Sequence, residues 1–428
     1  MVDILILGAN GYSGRLTARY LLEHEQRGAF KLALAARTRA KVKSTGLALD
    51  ESVSIWEVDV TDERSVDEVV QRAAVVIDCV GPFWHYGTNV AKSCARHGKH
   101  YVDITGEVPY IFQIINLCDY QATQTHSVII PACGWDSAPS DIVVYMANKT
   151  LKSRYPNANI QDCVSAVDVK SPVAGGSFAT LFTSLEEVPK NILQYCNEPY
   201  PLSPRAFPLP LEYLRSERSY PSFRLLYSLP APMSFIKGGI FLMSAVNRAV
   251  VERTWGLHQF QFITSSPVPA RDPALAYGPR FRYEEFEIRR STFSALLLSI
   301  SFALTSLSLM FLPPVRWLAK KILPGPGQGP SETEQKKGHL EMINITTAVD
   351  PAEMKPIRIR TTLRSDLQSL AALALLVPAK LPALARKGGV LTPMSGLGDA
   401  LITRLQRTGL FAFSSEFVGD TEESAKRK

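Results

Sequence analysis

Apolar runs of strand length alternate with amphipathic runs of helix length through the first third of the chain. Val2 to Leu7, Lys31 to Ala36, Val53 to Val58, Val75 to Val80, His100 to Ile104 and Ser127 to Ala132 read as six strands. A helix follows Gly11. Asp62 to Arg72, Gly87 to His97 and Val108 to Thr123 also repeat their apolar residues at helical spacing, and Gly98 is a natural stop. Strands that alternate with helices predict a parallel, doubly wound sheet, whose ligands gather at the carboxyl ends of the strands. Those ends carry Gly8, Arg37, Asp59, Cys79-Val80-Gly81-Pro82, Asp103 and Cys133-Gly134.

Beyond Gly134 the rhythm changes. Prolines crowd the stretch from Pro199 to Pro232, which reads as loop-rich. Alternating stretches at Asp162 to Val169, Phe281 to Ile288, His339 to Ala348 and Pro356 to Leu363 predict a second domain of α+β type on a mainly antiparallel sheet. The division expected is residues 1–135 for the dinucleotide-type domain and 136–428 for the second. No internal repeat is visible, and the charged tail from Gly419 to Lys428 is expected to fray.

One segment breaks both patterns. Ser291 to Val315 is 25 residues without a charge, flanked by Arg289-Arg290 on one side and by Arg316, Lys320 and Lys321 on the other. Its length suits a membrane span. Its eight Ser and Thr residues, five of them (Ser291, Ser294, Ser301, Thr305 and Ser308) near one helical stripe, temper that reading. Bases at both ends give no orientation. A single span would also separate strands that share a sheet. The expectation is a helix or re-entrant hairpin seated in one leaflet or on a lipid droplet, with a buried core helix as the alternative. Pro324 to Pro330 then reads as a linker back to the globular part.

Composition narrows the classes. At 428 residues there is room for two or three domains. The net charge of +7 is spread without a block of like charge, so nucleic acid is not an expected partner. The six cysteines form no C-x-x-C, and no His spacing makes a zinc site, so no metal is expected and the compartment reads as reducing and intracellular. The chain opens on its first strand, without the basic stretch of a signal peptide.

The chemistry is concentrated at the first turn. Gly8 allows a tight turn off the strand, Gly11 lets backbone approach a phosphate, and Gly14 lets the helix pack on the strand. The helix beginning there aims free N–H groups and its positive dipole end at an anion. The spacing is G-x-x-G-x-x-G; strand before, helix after and second strand at the right distance make it a dinucleotide turn of Rossmann type. At the end of the second strand, where an acid would accept from a ribose 2′-hydroxyl, stands Arg37, followed by Thr38, Arg39 and Lys41. An arginine suits a 2′-phosphate, so the expected cofactor is NADP rather than NAD.

GANGYSG at 8–14, CVGPFWHYG at 79–87, HYVDITGE at 100–107 and CGWDSAPSD at 133–141 occur in that order. With AGGSFAT at 174–180, PGPGQGPSE at 324–332 and GVLTPMSGLGDALITRL at 389–405, they resemble the saccharopine dehydrogenase-like oxidoreductases. The resemblance is strongest to the branch of trans-acting enoyl reductases and lipid-droplet saccharopine dehydrogenase-like proteins, and covers nearly the whole chain. It implies a Rossmann domain, an α+β domain, and C-terminal segments that return to the first domain. It also implies NAD(P)-linked reduction of an enoyl group on a lipid-like or polyketide-like substrate. The alternatives are imine reduction, and a non-catalytic nucleotide-binding protein of a lipid droplet or membrane. By the resemblance, Gly8, Asn10, Gly11, Tyr12 and Gly14 line the pyrophosphate and Arg37 the 2′ position. Asp59 and Val60 fall near the adenine, and Cys79, Val80, Gly81 and Pro82 near the nicotinamide ribose. The stretch 361–376 departs from the family pattern. Partners expected are the lipid-like substrate and a membrane or lipid-droplet surface, with the catalytic domain facing the cytosol; a homodimer is open.

Hydride delivery needs a proton donor beside the acceptor. Asp136 and Tyr86 are the candidate catalytic residues, with His85 and Asp103 at neighbouring strand ends. Asp136-Ser137 equally suits a helix N-cap, and Asp103 equally suits the Thr105-Gly106 turn. Tyr145-x-x-x-Lys149 has the spacing of a short-chain dehydrogenase pair, but Pro131-Ala132-Cys133 stands where those enzymes need Ser or Thr. Core packing is the expected role of Tyr145.

Overall fold

The computed structural model describes all residues except 136, 171–174, 205–223, 265–274, 326, 332–333, 335–337, 353–354, 367–382 and 420–428. Asp136 and most of the divergent stretch 361–376 therefore lie outside the described residues.

The first sheet is built from β1 (Val2–Leu7), β2 (Leu32–Ala36), β3 (Ser54–Glu57), β4 (Ala73–Asp78), β5 (His100–Asp103) and β6 (Val128–Ile130). Its order is β3-β2-β1-β4-β5-β6, every pair parallel. The strand order reverses between β1 and β4, which opens the crevice where this architecture binds ligands. Helices α1 (Tyr12–Glu23), α2 (Arg39–Lys43), α3 (Glu63–Val70), α4 (Phe83–His97) and α5 (Val108–Thr125) connect the strands. Asp62 caps α3 by accepting from the Arg64 N–H at 3.0 Å, and Gly98 ends α4 at φ +64°. Helix α4 starts four residues before the expected Gly87. Gly87 is interior: a Cβ there would lie 2.6 Å from the Tyr110 hydroxyl, so the glycine makes room for α5.

The long helix α6 (Ala138–Arg154) leaves β6 and is buried almost all round. It lies against the second sheet, so its polar residues need partners. Ser140 donates to Glu285 at 2.8 Å, Asp141 accepts from the Met394 N–H at 2.9 Å, and Lys152 donates to the Ala158 carbonyl at 2.8 Å.

The second sheet has β7 (Asn159–Lys170), β8 (Tyr227–Ser228), β9 (Lys237–Ile240), β10 (Arg282–Ile288), β11 (His339–Val349), β12 (Pro356–Asp366) and β14 (Phe411–Phe417). The order is β14-β12-β11-β7-β10-β9-β8. It is antiparallel except that β10 runs parallel to β7. Helices α7 (Gly175–Glu186), α8 (Lys190–Cys196) and α9 (Ser244–Thr264) follow β7 and β9. The chain then forms α10 (Thr292–Phe311) and α11 (Pro313–Ile322) between β10 and β11. After α12 (Ala383–Lys387), Gly389–Val390 forms β13 and adds a parallel edge strand to the first sheet beside β6. Helices α13 (Pro393–Leu397) and α14 (Asp399–Arg407) lead to β14.

Helix α10 is the one described helix long and apolar enough to cross a membrane. The sheet excludes a single crossing: β10 before it and β11 after it both hydrogen-bond β7, so the chain leaves and returns on one side. Only Ala295 and Ser299 of α10 are buried. They seat the helix on β9, where the Ile240 N–H donates to Ser299 Oγ at 2.9 Å and a Cβ on Gly239 would lie 2.5 Å from the Ala295 carbonyl. The expected Ser/Thr stripe is not this docking face. Phe311 is 68% exposed and Trp317, on α11, 60%.

Candidate active site

The glycine turn has the shape and the donors to hold a pyrophosphate. Gly8 takes φ +72°, where a side chain is strained. Gly14 is the tightest point, since a Cβ there would sit 2.2 Å from the Gly8 carbonyl oxygen. Gly11 is the N-cap of α1 and supplies no side-chain cap, so the first N–H groups of the helix have no side-chain acceptor there. Asn10 is exposed on the rim, and Tyr12 opens the helix. Burial pushes the Tyr12 phenol up to about 12, with Arg15 opposing and Glu334 adding to the shift.

At the neighbouring strand ends, Arg37, Arg39 and Lys41 are exposed. Asp59 accepts from the Thr61 N–H at 3.0 Å and the Thr61 hydroxyl at 2.7 Å. Those bonds, and then Arg37, hold its carboxyl below the ordinary value. Val60 is buried, and its carbonyl accepts from Asn89 Nδ2 at 3.2 Å. This corner offers a guanidinium facing solvent and can accept a 2′-phosphate.

Across the crevice, the loop Cys79–Pro82 touches the turn: a Cβ on Gly8 would meet Val80 Cγ2 at 2.9 Å. The Gly81–Pro82 bond is cis. Glu107, at the end of the HYVDITGE motif, fixes the start of α4 just beyond that bond. Its carboxylate accepts from the Phe83 N–H at 2.7 Å and the Trp84 N–H at 2.8 Å, and from the Thr180 hydroxyl at 3.0 Å. Burial raises its carboxyl above the ordinary value, and these donors oppose the rise. Glu107 was not among the expected site residues, nor was Thr180. The motifs that hold them were visible, but their meeting across the fold was not.

The remaining expected residues divide. Tyr86 is half-buried in the first turn of α4, packed against the core beside His85, with ring centroids 5.6 Å apart. His85 Nε2 pairs with Glu187 at 3.0 Å. Asp103 serves the turn: it accepts from the Thr105 N–H at 2.9 Å and the Ala132 N–H at 2.8 Å. Burial pushes its carboxyl up to about 7. Ser137 stands at the N-cap of α6 but does not cap it; its hydroxyl donates to Asn247 Oδ1 at 3.0 Å. Among the described residues no His, Cys, Asp or Glu group could hold a metal, and all six cysteines are free.

Tyr145 and Lys149 do not make a catalytic pair. Tyr145 is 5% exposed in the core, and Lys149 ion-pairs with Asp399 at 2.7 Å. Tyr145→Phe and Lys149→Ala should each change the affinity for NADPH, followed by its fluorescence, by less than about twofold. A large loss in either would return the pair to the site.

A family model described as the saccharopine dehydrogenase NADP binding domain matches residues 4–154. The chain is 30% identical to a putative trans-acting enoyl reductase of Mycobacterium tuberculosis, covering 95% of this chain and 96% of the relative. It is 29% identical to the trans-acting enoyl reductase of Mycobacterium leprae over the same shares. Its fold matches the apo saccharopine dehydrogenase (L-Glu forming) of Saccharomyces cerevisiae at a TM-score of 0.51 and 11% identity, covering 98% of this chain and all of that one. The dinucleotide domain is thus of the NADP-binding kind. The chain belongs to the saccharopine dehydrogenase-like oxidoreductase family, together with the trans-acting enoyl reductases.

Proposed function

We propose that the protein is an NADPH-dependent reductase of an enoyl C=C bond in a lipid-like or polyketide-like substrate. It works at a membrane or lipid-droplet surface, with its dinucleotide domain in the cytosol. The observation that carries this reading is end-to-end similarity to proteins named trans-acting enoyl reductases. The uncapped, glycine-lined start of α1 supports it, because it fits a pyrophosphate.

The residues take these roles. Gly8, Asn10, Gly11, Tyr12 and Gly14 hold the pyrophosphate, and Arg37 pairs with the 2′-phosphate. Asp59 and Val60 border the adenine. Cys79, Val80, Gly81 and Pro82 shape the nicotinamide end, held by Glu107 through the first turn of α4. When bound, the cofactor supplies the hydride. Asp136 and Tyr86 are the candidate donors of the matching proton. The exposed apolar faces of α10 and α11 give the lipid surface a place to dock.

Incubation with NADPH and enoyl thioesters of graded chain length, followed by nicotinamide absorbance, should show turnover. Turnover only with a 2-oxo acid and an amino acid would assign imine reduction instead. NADPH binding without either reaction would assign a non-catalytic role. Arg37→Ala should weaken NADPH about tenfold, the loss of one charge-assisted pair, and leave NADH unchanged. An equal effect on both would reject the 2′-phosphate role.

A further inference from the structure

Helix α7 joins the loop at the nicotinamide end to the apolar hairpin. On one side the Thr180 hydroxyl bonds Glu107 at 3.0 Å, and Glu187, just past the helix, pairs with His85 at 3.0 Å. On the other side Glu186 pairs with Lys320 Nζ at 2.6 Å and lies 3.6 Å from Arg316 Nε, both on α11. Lys320 also stands over the Phe182 ring, 5.4 Å from its centroid. Two adjacent glutamates thus bind different elements, Glu187 the start of α4 and Glu186 helix α11.

Helix α7 is held at both ends, its start by the Gly175 N–H donating to the Gln328 carbonyl at 2.9 Å and its far end by Glu186. Of its own residues only Gly175, Phe182 and Thr183 are buried. The ion pairs are half-exposed, with Glu186 33% and Lys320 43% open to solvent, so an anion arriving from outside can reach the bases and compete for them. Arg316 is also engaged elsewhere. Its Nη1 donates to the Leu309 and Met310 carbonyls, each at 2.9 Å, and so closes the end of α10. Both bases that hold α7 therefore belong to the corner of the hairpin.

That corner also presents the apolar face. Leu307, Met310 and Phe311 of α10 and Trp317, Leu318 and Ile322 of α11 are all exposed. Lys321 lies 3.7 Å from the centre of the Trp317 ring, an aromatic–cation pairing that suits a headgroup layer. Apolar side chains flanked by Arg290, Arg316, Lys320 and Lys321 complement a surface that is greasy below and negatively charged above.

We propose that the α10–α11 hairpin docks on an anionic phospholipid surface. Lipid phosphates there take Lys320 and Arg316 from Glu186, releasing the C-terminal end of α7 and loosening the wall beside Glu107 and the nicotinamide-end loop. This rests on the lipid-surface part of the reading above. Lipid contact then regulates access to the site, so that the site opens where a greasy substrate is at hand.

The test uses the whole chain with vesicles of phosphatidylcholine alone and of phosphatidylcholine mixed with phosphatidylserine. It reads flotation and amide hydrogen exchange. We expect flotation with the anionic vesicles and faster exchange in 175–187 when they are bound. Glu186→Gln should speed the same exchange without any lipid. Lys320→Gln should weaken anionic-vesicle binding about fivefold. Flotation with unchanged exchange in 175–187 would overturn the coupling and leave the lipid-surface reading standing. No flotation would overturn both. Unchanged exchange in Glu186→Gln without lipid would overturn the clamp alone. A concentration-dependent dimer that protects 304–322 would assign the face to a second copy, and also overturn the proposal.

Discussion

Gly14→Ala should reduce NADPH affinity by about a hundredfold. The added methyl group would sit 2.2 Å from the Gly8 carbonyl oxygen and 2.8 Å from its carbon, both backbone atoms that no side-chain rotation can move aside. Helix α1 must then lift from β1, or the turn must open. Either change moves the first N–H groups of the helix away from the pyrophosphate. Two charge-assisted hydrogen bonds lost at roughly 1.5 kcal/mol each give that factor. Gly28→Ala is the matched control, because a Cβ there meets nothing within 4 Å. Titration of NADPH fluorescence reads the affinity, and circular dichroism checks that the fold survives. Equal affinities in the two variants would remove the turn from the cofactor site.

The first sheet was legible because its strands β2, β4 and β6 are buried on both faces, and such strands read as nearly unbroken apolar runs. β1 falls where the apolar run does, and the other five lie within two residues of it. The start of α4 was not legible. Gly81-Pro82 looks like a loop and Gly87 like a helix boundary, yet Gly87 answers to Tyr110 on another helix. In the second sheet, alternation marked β7, β10, β11 and β12, but period-two patterning says nothing of direction. The parallel pairing of β10 with β7 was therefore invisible.

The site obeyed the same rule. Local chemistry, such as the glycine turn and Arg37, can be read from neighbouring letters. Glu107 reaches back to the first turn of α4 and forward to Thr180, 73 residues away, and no spacing rule joins them. The apolar segment at 291–315 was visible by its missing charges. Its return to the same side of the sheet needed β10 and β11 to be seen flanking β7.

Glu285 should make the protein less stable as pH rises from about 4.5 to 7, and Glu285→Gln should abolish that share of the loss. Glu285 is 5% exposed, and its carboxyl accepts from Ser140 at 2.8 Å, Asn247 Nδ2 at 2.8 Å and Tyr283 at 3.2 Å. All three partners are neutral. Burial pushes the carboxyl up to about 7, with the three donors opposing. In the unfolded chain the group ionises near its ordinary value, so between the two the folded state binds more protons. Stability then falls with rising pH, and flattens above about 7. Asp103 and Asp141, pushed to about 7, and Asp78, pushed to about 8, act in the same direction. His258, pushed down to about 4 by burial, acts oppositely below its ordinary value. The comparison with Glu285→Gln isolates one group from this background. Glutamine keeps the bonds: its oxygen accepts from Asn247, and its amide donates to the Ser140 and Tyr283 hydroxyls, which can turn to accept. Denaturant titrations across that pH range should show the variant gaining on the wild type by on the order of 3 kcal/mol as pH rises. A stability difference that stays constant with pH would mean Glu285 ionises in the fold as it does in water.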